Sequence, residues 1–414
     1  MSDVRDISLA PEGERKIAWA MKNMPLLTSI GEEFERARPF DGIKITLSVH
    51  LEAKTACLCR TLALGGAEMH VSGSNPLSTQ DAVAAALAEG GMDVHAYHGA
   101  TDGEYVKHLT AALQCGPHIV IDDGCDLTNL LHTDLRHLLP GVIGGCEETT
   151  TGIIRLNAMA KDGVLKYPVM AVNDAKCKRL FDNRYGTGQS VWDAINGTTN
   201  LLAAGKTVVV AGYGWCGRGI ATRSAGQGAR VIVTEIDPVK ALEAVMDGHT
   251  VMPMAEAAKT GDVFITATSC SSVIDYRHFE LLKDGAILTN AGHFNVEVCM
   301  AELEAAAVLK YEARDNIVGY KLKNGRTVFV IGEGRLVNLA AGDGHPVEIM
   351  DMSFAVQALA AKYVLDNKGE LEPGVHKVPD EIDGAVASRR LAVSGISIDS
   401  LTEDQEKYLT SWAI

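Results

Sequence analysis

Three glycines, Gly212, Gly214 and Gly217, stand in a G-x-G-x-x-G spacing inside the run KTVVVAGYGWCGRG (Lys206–Gly219). Glycines so placed let a chain turn tightly and bring backbone N–H groups up to a pyrophosphate, which then rests on the positive end of the next helix. The spacing alone is weak, because many glycine-rich loops match it. Here an apolar run, Val208–Ala211, precedes it, and a helical stretch follows that carries Trp215, Cys216 and Ile220–Gln227. A second apolar run ends in Thr-Glu-Ile-Asp and puts Glu235 18 residues beyond Gly217, close to the roughly 20 expected of a carboxylate that grips a ribose 2′-hydroxyl. A carboxylate there repels a 2′-phosphate, so the expected dinucleotide is NAD. This predicts a dinucleotide binder, most often a dehydrogenase, and names no reaction.

Residues able to move protons gather in short polar blocks: HLEAKT (His50–Thr55), SNPLSTQD (Ser74–Asp81), DDGCDLT (Asp122–Thr128), EETTTG (Glu147–Gly152) and VNDAKCKRLFDNRYG (Val172–Gly186). Two more, NAGHFNVE (Asn290–Glu297) and EGRLVNLAAGDGHP (Glu333–Pro346), lie beyond the glycine loop. Burial and neighbouring charge tune such groups for acid–base work. Each also has a plain reading: Asp123 as a turn residue, His50 as a satisfied core histidine, Lys178 as a surface lysine beside Lys176 and Arg179, and Thr149–Thr151 as a helix cap.

The elements that must position these blocks alternate. Residues 14–38 carry amphipathic helical spacing broken at Pro25. From Gly42, short apolar strands (Lys44–Val49, Ala67–Ser72, Val94–Ala96, His118–Ile121) alternate with helical stretches (Ala53–Leu64, Ala82–Ala88, Glu104–Leu113), and a second such unit has strands at Thr207–Ala211, Arg230–Glu235, Val263–Thr266 and Ala286–Asn290. The polar blocks then fall at strand ends, where open parallel sheets bind ligands. The expected fold is α/β with two parallel-sheet domains: a Rossmann NAD-binding domain, 189–344, inserted into a discontinuous substrate-binding domain, 1–188, with return helices at 345–390 and a C-terminal oligomerisation or cofactor-capping segment at 391–414.

The 414 residues exceed one ordinary core. A net charge of −15 without a basic stripe argues against nucleic acid, and no apolar run reaches membrane-span length. The charged N-terminus lacks the apolar region of a signal peptide, and the nine cysteines form no C-x2-C pairs with matching partners. We therefore expect a cytoplasmic, reduced protein with no metal site and no membrane partner. Cys57 and Cys59 read as small core residues.

In this order around the nucleotide loop, the blocks resemble S-adenosyl-L-homocysteine hydrolases from about residue 40 to the C-terminus; EETTTG, FDN, GHF and GRLVNL are together specific to that family. The resemblance implies hydrolysis of S-adenosyl-L-homocysteine, or of its deaminated form S-inosyl-L-homocysteine, to L-homocysteine and a nucleoside. Bound NAD+ would oxidise the ribose 3′-hydroxyl to a ketone, which acidifies C4′–H. Loss of that proton expels homocysteine as a thiolate, water adds at C5′, and the hydride returns. By matching position, the resemblance assigns Lys178 and Asp182 to the 3′-hydroxyl with Asn183 holding their network, and Asp123 and His50 to proton transfer near C4′ and C5′. A lysine acting as base has to be substantially deprotonated, which calls for burial or a neighbouring cation. Glu148 matches the carboxylate on the ribose hydroxyls, and Thr149, Thr150, Thr151 and Asn173 match nicotinamide contacts. Asn338 is expected on the carboxamide, Ala291 and His293 at the catalytic face, Thr55 and Met350 on the substrate wall, and His345 at a gate over the base.

Three departures stand out. A cysteine after the FDN block in well-known members is Thr187 here. The closing LTEDQEKYLTSWAI lacks the Lys/Tyr-bearing tail by which relatives reach a neighbour's NAD site, so NAD retention is expected to be weaker or secured differently. Where many relatives place Thr and then Glu or Gln near the base, Glu52 and Lys54 stand here. A lysine facing the base edge, with donors and no acceptor, would suit the O6 of hypoxanthine; alternatively the two side chains pair with each other or face solvent. Relatives are tetramers, and the apolar end Tyr408–Trp412 suits docking on a partner, so a homotetramer is expected. Two rival readings remain open: an NAD-dependent dehydrogenase of a small hydroxy acid, and a non-catalytic hydrolase-like regulator. Regulators of that kind carry long Ser-rich N-terminal extensions and altered active-site blocks.

Overall fold

The computed structural model describes residues 2–412. Helices Ala10–Lys22 and Pro25–Ala37 open the chain, and Pro25 begins the second, where a missing N–H does no harm. Strands β1 (Lys44–Val49), β2 (Glu68–Gly73), β3 (Asp93–His95) and β4 (Ile119–Asp122) alternate with helices, as the pattern predicts. β5 (Gly144–Glu147) and β6 (Pro168–Ala171) follow; their short runs, one of them Gly-Gly-Cys-Glu, carry too few β-branched residues to signal a strand. The second unit holds β7 (Thr207–Ala211), β8 (Arg230–Thr234), β9 (Thr250–Val251), β10 (Val263–Thr266) and β11 (Ile287–Asn290). An antiparallel meander absent from the sequence reading completes it: β12 (Ala307–Arg314), β13 (Ile317–Leu322) and β14 (Thr327–Ile331). Helix Val347–Asp366 returns to the first unit, where β15 (Gly374–Lys377) adds an edge beside β6.

The first sheet is parallel in the order β15-β6-β5-β4-β1-β2-β3, and the second runs β12-β13-β14-β11-β10-β7-β8-β9. Each order reverses direction at one place, between β4 and β1 and between β7 and β10. Ligands bind at the carboxyl ends of strands at such switch points, because the flanking loops part there. His50 directly follows β1 and Asp123 follows β4, while Gly212 follows β7 and Ala267 follows β10. The topology thus presents proton-moving groups at one crevice and the glycine loop at the other.

Helix Val347–Asp366 is buried on most sides, packing Phe354, Ala355, Val356, Ala358 and Ala361 into the core of the first sheet. Its Asp351, fully buried, accepts the N–H groups of Leu26 (3.1 Å) and Leu27 (2.8 Å) at the start of helix Pro25–Ala37. That ties the return helix to the N-terminus by satisfying donors the helix cannot satisfy itself. Cys57 and Cys59 are buried in the same core.

Candidate active site

A crevice of about 970 Å³ opens where the two sheets' loops face each other. His50, Glu52, Lys54, Thr55, Asp123, Glu148, Thr149, Thr150 and Thr151 line it from the first unit, with Asn173, Lys178, Asp182, Asn183 and Thr187. Cys216, Ala291, His293, Asn338 and His345 line it from the second unit and the return strap, and Met350 from the return helix. The residues singled out from six separate polar blocks therefore share one wall.

At one end sits a buried charge cluster. Lys178 leaves a one-turn helix, Lys176–Arg179, and the next turn, Asp182–Gly186, widens into a π-turn, a distortion frequent at functional sites. The Lys178 Nζ donates to Asn183 Oδ1 (2.9 Å) and Asp182 Oδ1 (3.2 Å) and lies 3.5 Å from Glu148 Oε1. Asp182 also accepts from Ser353 Oγ at 2.7 Å and lies 3.1 Å from His345 Nδ1. Asn183 donates to Asn173, which in turn donates to Thr150 Oγ1.

Burial and neighbouring charge set the protonation states here. Burial works against the Lys178 ammonium, but the Asp182 and Glu148 carboxylates outweigh it and raise its pKa above the ordinary lysine value. The lysine is buried, and the carboxylates around it favour its ammonium form. Burial pushes Glu148 up to about 7, with Lys178 pulling the other way. Asp182, despite burial, is held well below the carboxylate range by Lys178 and His345.

Toward the other end, His50 Nε2 lies 3.5 Å from Asp123 Oδ2, and His50 Nδ1 meets Ser78 Oγ at 2.6 Å. Ser74 donates to Asp123 at 2.8 Å, and Thr55 anchors the His50 carbonyl. Donor atoms of His50, Asp123 and His293 lie within 4.8 Å of one another. Burial brings the His50 imidazole down to about 4 against the pull of Asp123. Asp123 stays below the usual range despite its own burial, with His50 the largest opposing influence. At neutral pH the geometry is a neutral imidazole facing a carboxylate.

Glu52 and Lys54 combine two of the possibilities left open by the sequence: both line the crevice, and they pair with each other. Lys54 Nζ lies 3.2 Å from Glu52 Oε2 and donates to the carbonyls of Asp343 (2.8 Å) and His345 (2.9 Å). Two of the ammonium's three donors are thus spent on those carbonyls, and the Glu52 carboxylate offsets its charge. Most of the lysine's donor capacity is therefore spent on the strap, whereas Glu52 Oε1 accepts no hydrogen bond found among the described residues. His345 turns its imidazole to Asp182 and to Thr187 Oγ1 (3.2 Å).

The nucleotide loop lies mostly beyond this wall: of its residues only Cys216 lines the crevice, while Gly212, Gly214, Trp215, Gly217 and Glu235 do not. Its form suits a dinucleotide. Gly212 has φ +93°, and a Cβ on Gly217 would sit 1.9 Å from the Gly212 carbonyl oxygen, so glycine is required at both. Helix Trp215–Gly226 starts with no side-chain cap on its first N–H groups, and Glu235 follows β8, its carboxylate accepting from Tyr213 N at 2.7 Å. At the far end Asn338, which donates to Ser190, has a buried Oδ1 without a partner among the described residues. A carboxamide N–H is the kind of donor that atom lacks, so the residues present fit NAD.

Four contacts escaped the sequence reading. Gln357 Nε2 donates to Glu148 Oε2 at 2.6 Å, and Ser353 holds Asp182. Met350, Ser353, Phe354 and Gln357 recur at helical spacing, and polar Ser353 and Gln357 on that largely apolar stretch were the available signal. Ser74 and Ser78 lay inside a block already noted, without roles.

Comparison with known proteins agrees with this construction. Residues 2–143 match the S-adenosyl-L-homocysteine hydrolase family, and 183–344 match the S-adenosyl-L-homocysteine hydrolase NAD binding domain. An adenosylhomocysteinase of Thermococcus kodakarensis is 58% identical over 99% of this chain and 97% of its own. S-inosyl-L-homocysteine hydrolases of Methanocaldococcus jannaschii and Methanococcus maripaludis are 58% and 55% identical, each over 100% of this chain and 99% of its own. Among solved structures, a dipicolinate synthase polypeptide of Bacillus halodurans shares the fold at 12% identity, with a TM-score of 0.50 over 79% of this chain and 99% of that one. With catalytic-type clusters and the nucleotide loop meeting at one crevice, and identity to these relatives running the full length, the chain belongs to the S-adenosyl-L-homocysteine hydrolase family.

Proposed function

We propose that this protein hydrolyses the thioether of an S-nucleosyl-L-homocysteine, releasing L-homocysteine and a nucleoside. The observation that carries the reading is the meeting of two differently poised proton-transfer groups, Lys178–Asp182–Glu148 and His50–Asp123, in one crevice that also receives the NAD-binding domain. NAD, when bound, supplies a reversible hydride acceptor for the carbon bearing the 3′-hydroxyl. Lys178, Asp182 and Glu148 hold the ribose hydroxyls. For Lys178 to take a proton from the 3′-hydroxyl it first has to lose one, and Glu148, at about 7, is its readiest acceptor at 3.5 Å. His50, neutral and oriented by Ser78, faces C4′ and C5′ with Asp123, and His293 covers them from the NAD-binding unit. Asn173, Asn183, Asn338 and Thr149–Thr151 orient the nicotinamide.

For the base, the free Glu52 oxygen is the recognising group. A carboxylate accepts equally from the exocyclic N–H of adenine and from the N1–H of hypoxanthine. The site then takes both the adenosyl and the inosyl thioether, which accords with relatives bearing either name. The exposed C-terminal helix serves a homotetramer, and nine free cysteines suit a reducing, cytoplasmic setting.

The test is release of homocysteine from each thioether, followed with the nicotinamide absorbance. Hydrolysis gives homocysteine with no net reduced nicotinamide. Steady accumulation of reduced nicotinamide with a hydroxy acid would instead make the protein a dehydrogenase, and no turnover of either thioether would sink the proposal.

A further inference from the structure

Behind the groups facing the crevice lies a second pair of acids that the reaction as described does not use. β4 and β5 are register partners at their last residues, Asp122 and Glu147, and each is followed directly by a carboxylate of the site, Asp123 and Glu148. Asp122 does ordinary structural work. It accepts the N–H groups of Asp123 (3.1 Å), Leu127 (3.3 Å) and Thr128 (2.9 Å) and so caps the turn and helix after β4. Glu147 is different. It is fully buried, and its Oε1 accepts two N–H groups from two loops, Gly124 at 2.8 Å and Thr149 at 3.0 Å. Gly124 is the residue after Asp123, and Thr149 the residue after Glu148. Oε2 is buried with no partner among the described residues.

A bare anionic oxygen in that position would be a buried, uncompensated charge, whereas a proton on Oε2 removes the charge and leaves Oε1 free to accept both N–H groups. We infer that Glu147, as a neutral acid, is a positioning residue whose single oxygen Oε1 fixes the spacing between Asp123 and Glu148. Burial and the adjacent Asp122 carboxylate push its carboxyl well above the ordinary range, in keeping with the neutral form. Gly152 makes room for it: in the first turn of helix Thr150–Lys161, a Cβ at that position would lie 2.1 Å from Glu147 Cδ. Glycine in a helix is otherwise unfavourable, so the sequence accepts a weaker helix to keep the carboxyl in place.

The inference rests on the reading of Asp123 and Glu148 as reaction groups. Asp123→Asn and Glu148→Gln test that reading separately, since both should lower kcat by about 10²- to 10⁴-fold whatever Glu147 does. For Glu147 itself, the NAD-loaded enzyme is compared with Glu147→Gln, Glu147→Ala and Gly152→Ala. Glu147→Gln preserves shape, neutrality and the accepting oxygen, and should retain near-wild-type kcat, KM and pH profile. Glu147→Ala should lose about tenfold or more in kcat at unchanged NAD content, because small displacements of reacting groups are costly. Gly152→Ala should lower kcat too, although helix propensity alone predicts a sounder helix. The infrared difference between wild type and Glu147→Gln at neutral pH should show a protonated carboxylic acid lost. A carboxylate band in its place, or Glu147→Gln as impaired as Glu147→Ala, overturns the neutral form; wild-type kcat in Gly152→Ala overturns the positioning role. Should Glu147→Ala fail to fold, the amide variant, Gly152→Ala and the infrared signature still decide.

Discussion

Glu148 and Lys178 set each other's charge across 3.5 Å, and the reaction's pH dependence should follow from that pair. The folded Glu148 sits near 7, so any step that needs its carboxylate gains rate as pH rises through about 7 and loses it below. We predict an acid limb in kcat/KM centred there. Glu148→Gln should erase the limb and lower kcat by about 10²- to 10⁴-fold, the usual worth of a positioned proton acceptor. An unchanged limb in that variant would assign it to another group. Such residues stood out in the sequence as polar blocks at strand ends, but each also had a plain structural reading, and the resemblance to the hydrolases supplied their roles. Gln357 and Ser353 did not, because their partners, Glu148 and Asp182, lie 209 and 171 positions away, and only folding reveals what a polar residue on a buried helix faces.

The strap between the second sheet and helix Val347–Asp366 is an element without regular structure of its own around Gly342–Gly344, yet it delivers His345 to Asp182. Lys54, from helix Ala53–Leu64, holds that strap by two carbonyls on either side of Gly344. Lys54→Met would leave both carbonyls and the buried Glu52 carboxylate without their cation. The expected loss is about 3 kcal/mol of stability, as for other buried pairs deprived of one partner, together with a higher KM for both thioethers. Thermal melting and the two-substrate assay measure these. A KM rise confined to the inosyl thioether would return Lys54 to the base edge and displace the strap reading. At this scale, strands with dense β-branched runs such as β7 could be read to the residue. β5, β6 and the β12–β14 meander could not, because short strands of small residues and a partly exposed edge lack the apolar signature of a buried parallel strand.

Across the whole molecule, two parallel-sheet units with polar blocks at their strand ends could be anticipated from the sequence, but the strand order and which surfaces stay uncovered could not. Helix Glu403–Thr410 buries none of its residues, and Tyr408, Leu409 and Trp412 are 65%, 67% and 95% exposed. Eight residues are too few for a helix to persist on its own propensity, and large apolar groups grouped on a surface usually meet a partner. The same region adds Ile396, Ile398 and Leu401, all exposed. A second copy covering this end would supply the packing the helix lacks, which is the physical basis for the proposed tetramer. Light scattering of the full chain should then give a mass near that of four 44.1 kDa protomers. The double variant Leu409→Glu, Trp412→Glu, whose added charges resist burial, should shift it toward smaller species while leaving the crevice residues untouched. A wild-type mass of 44.1 kDa would mean that the helix is held by something other than a second copy, and the assembly proposal would fall with the site reading intact.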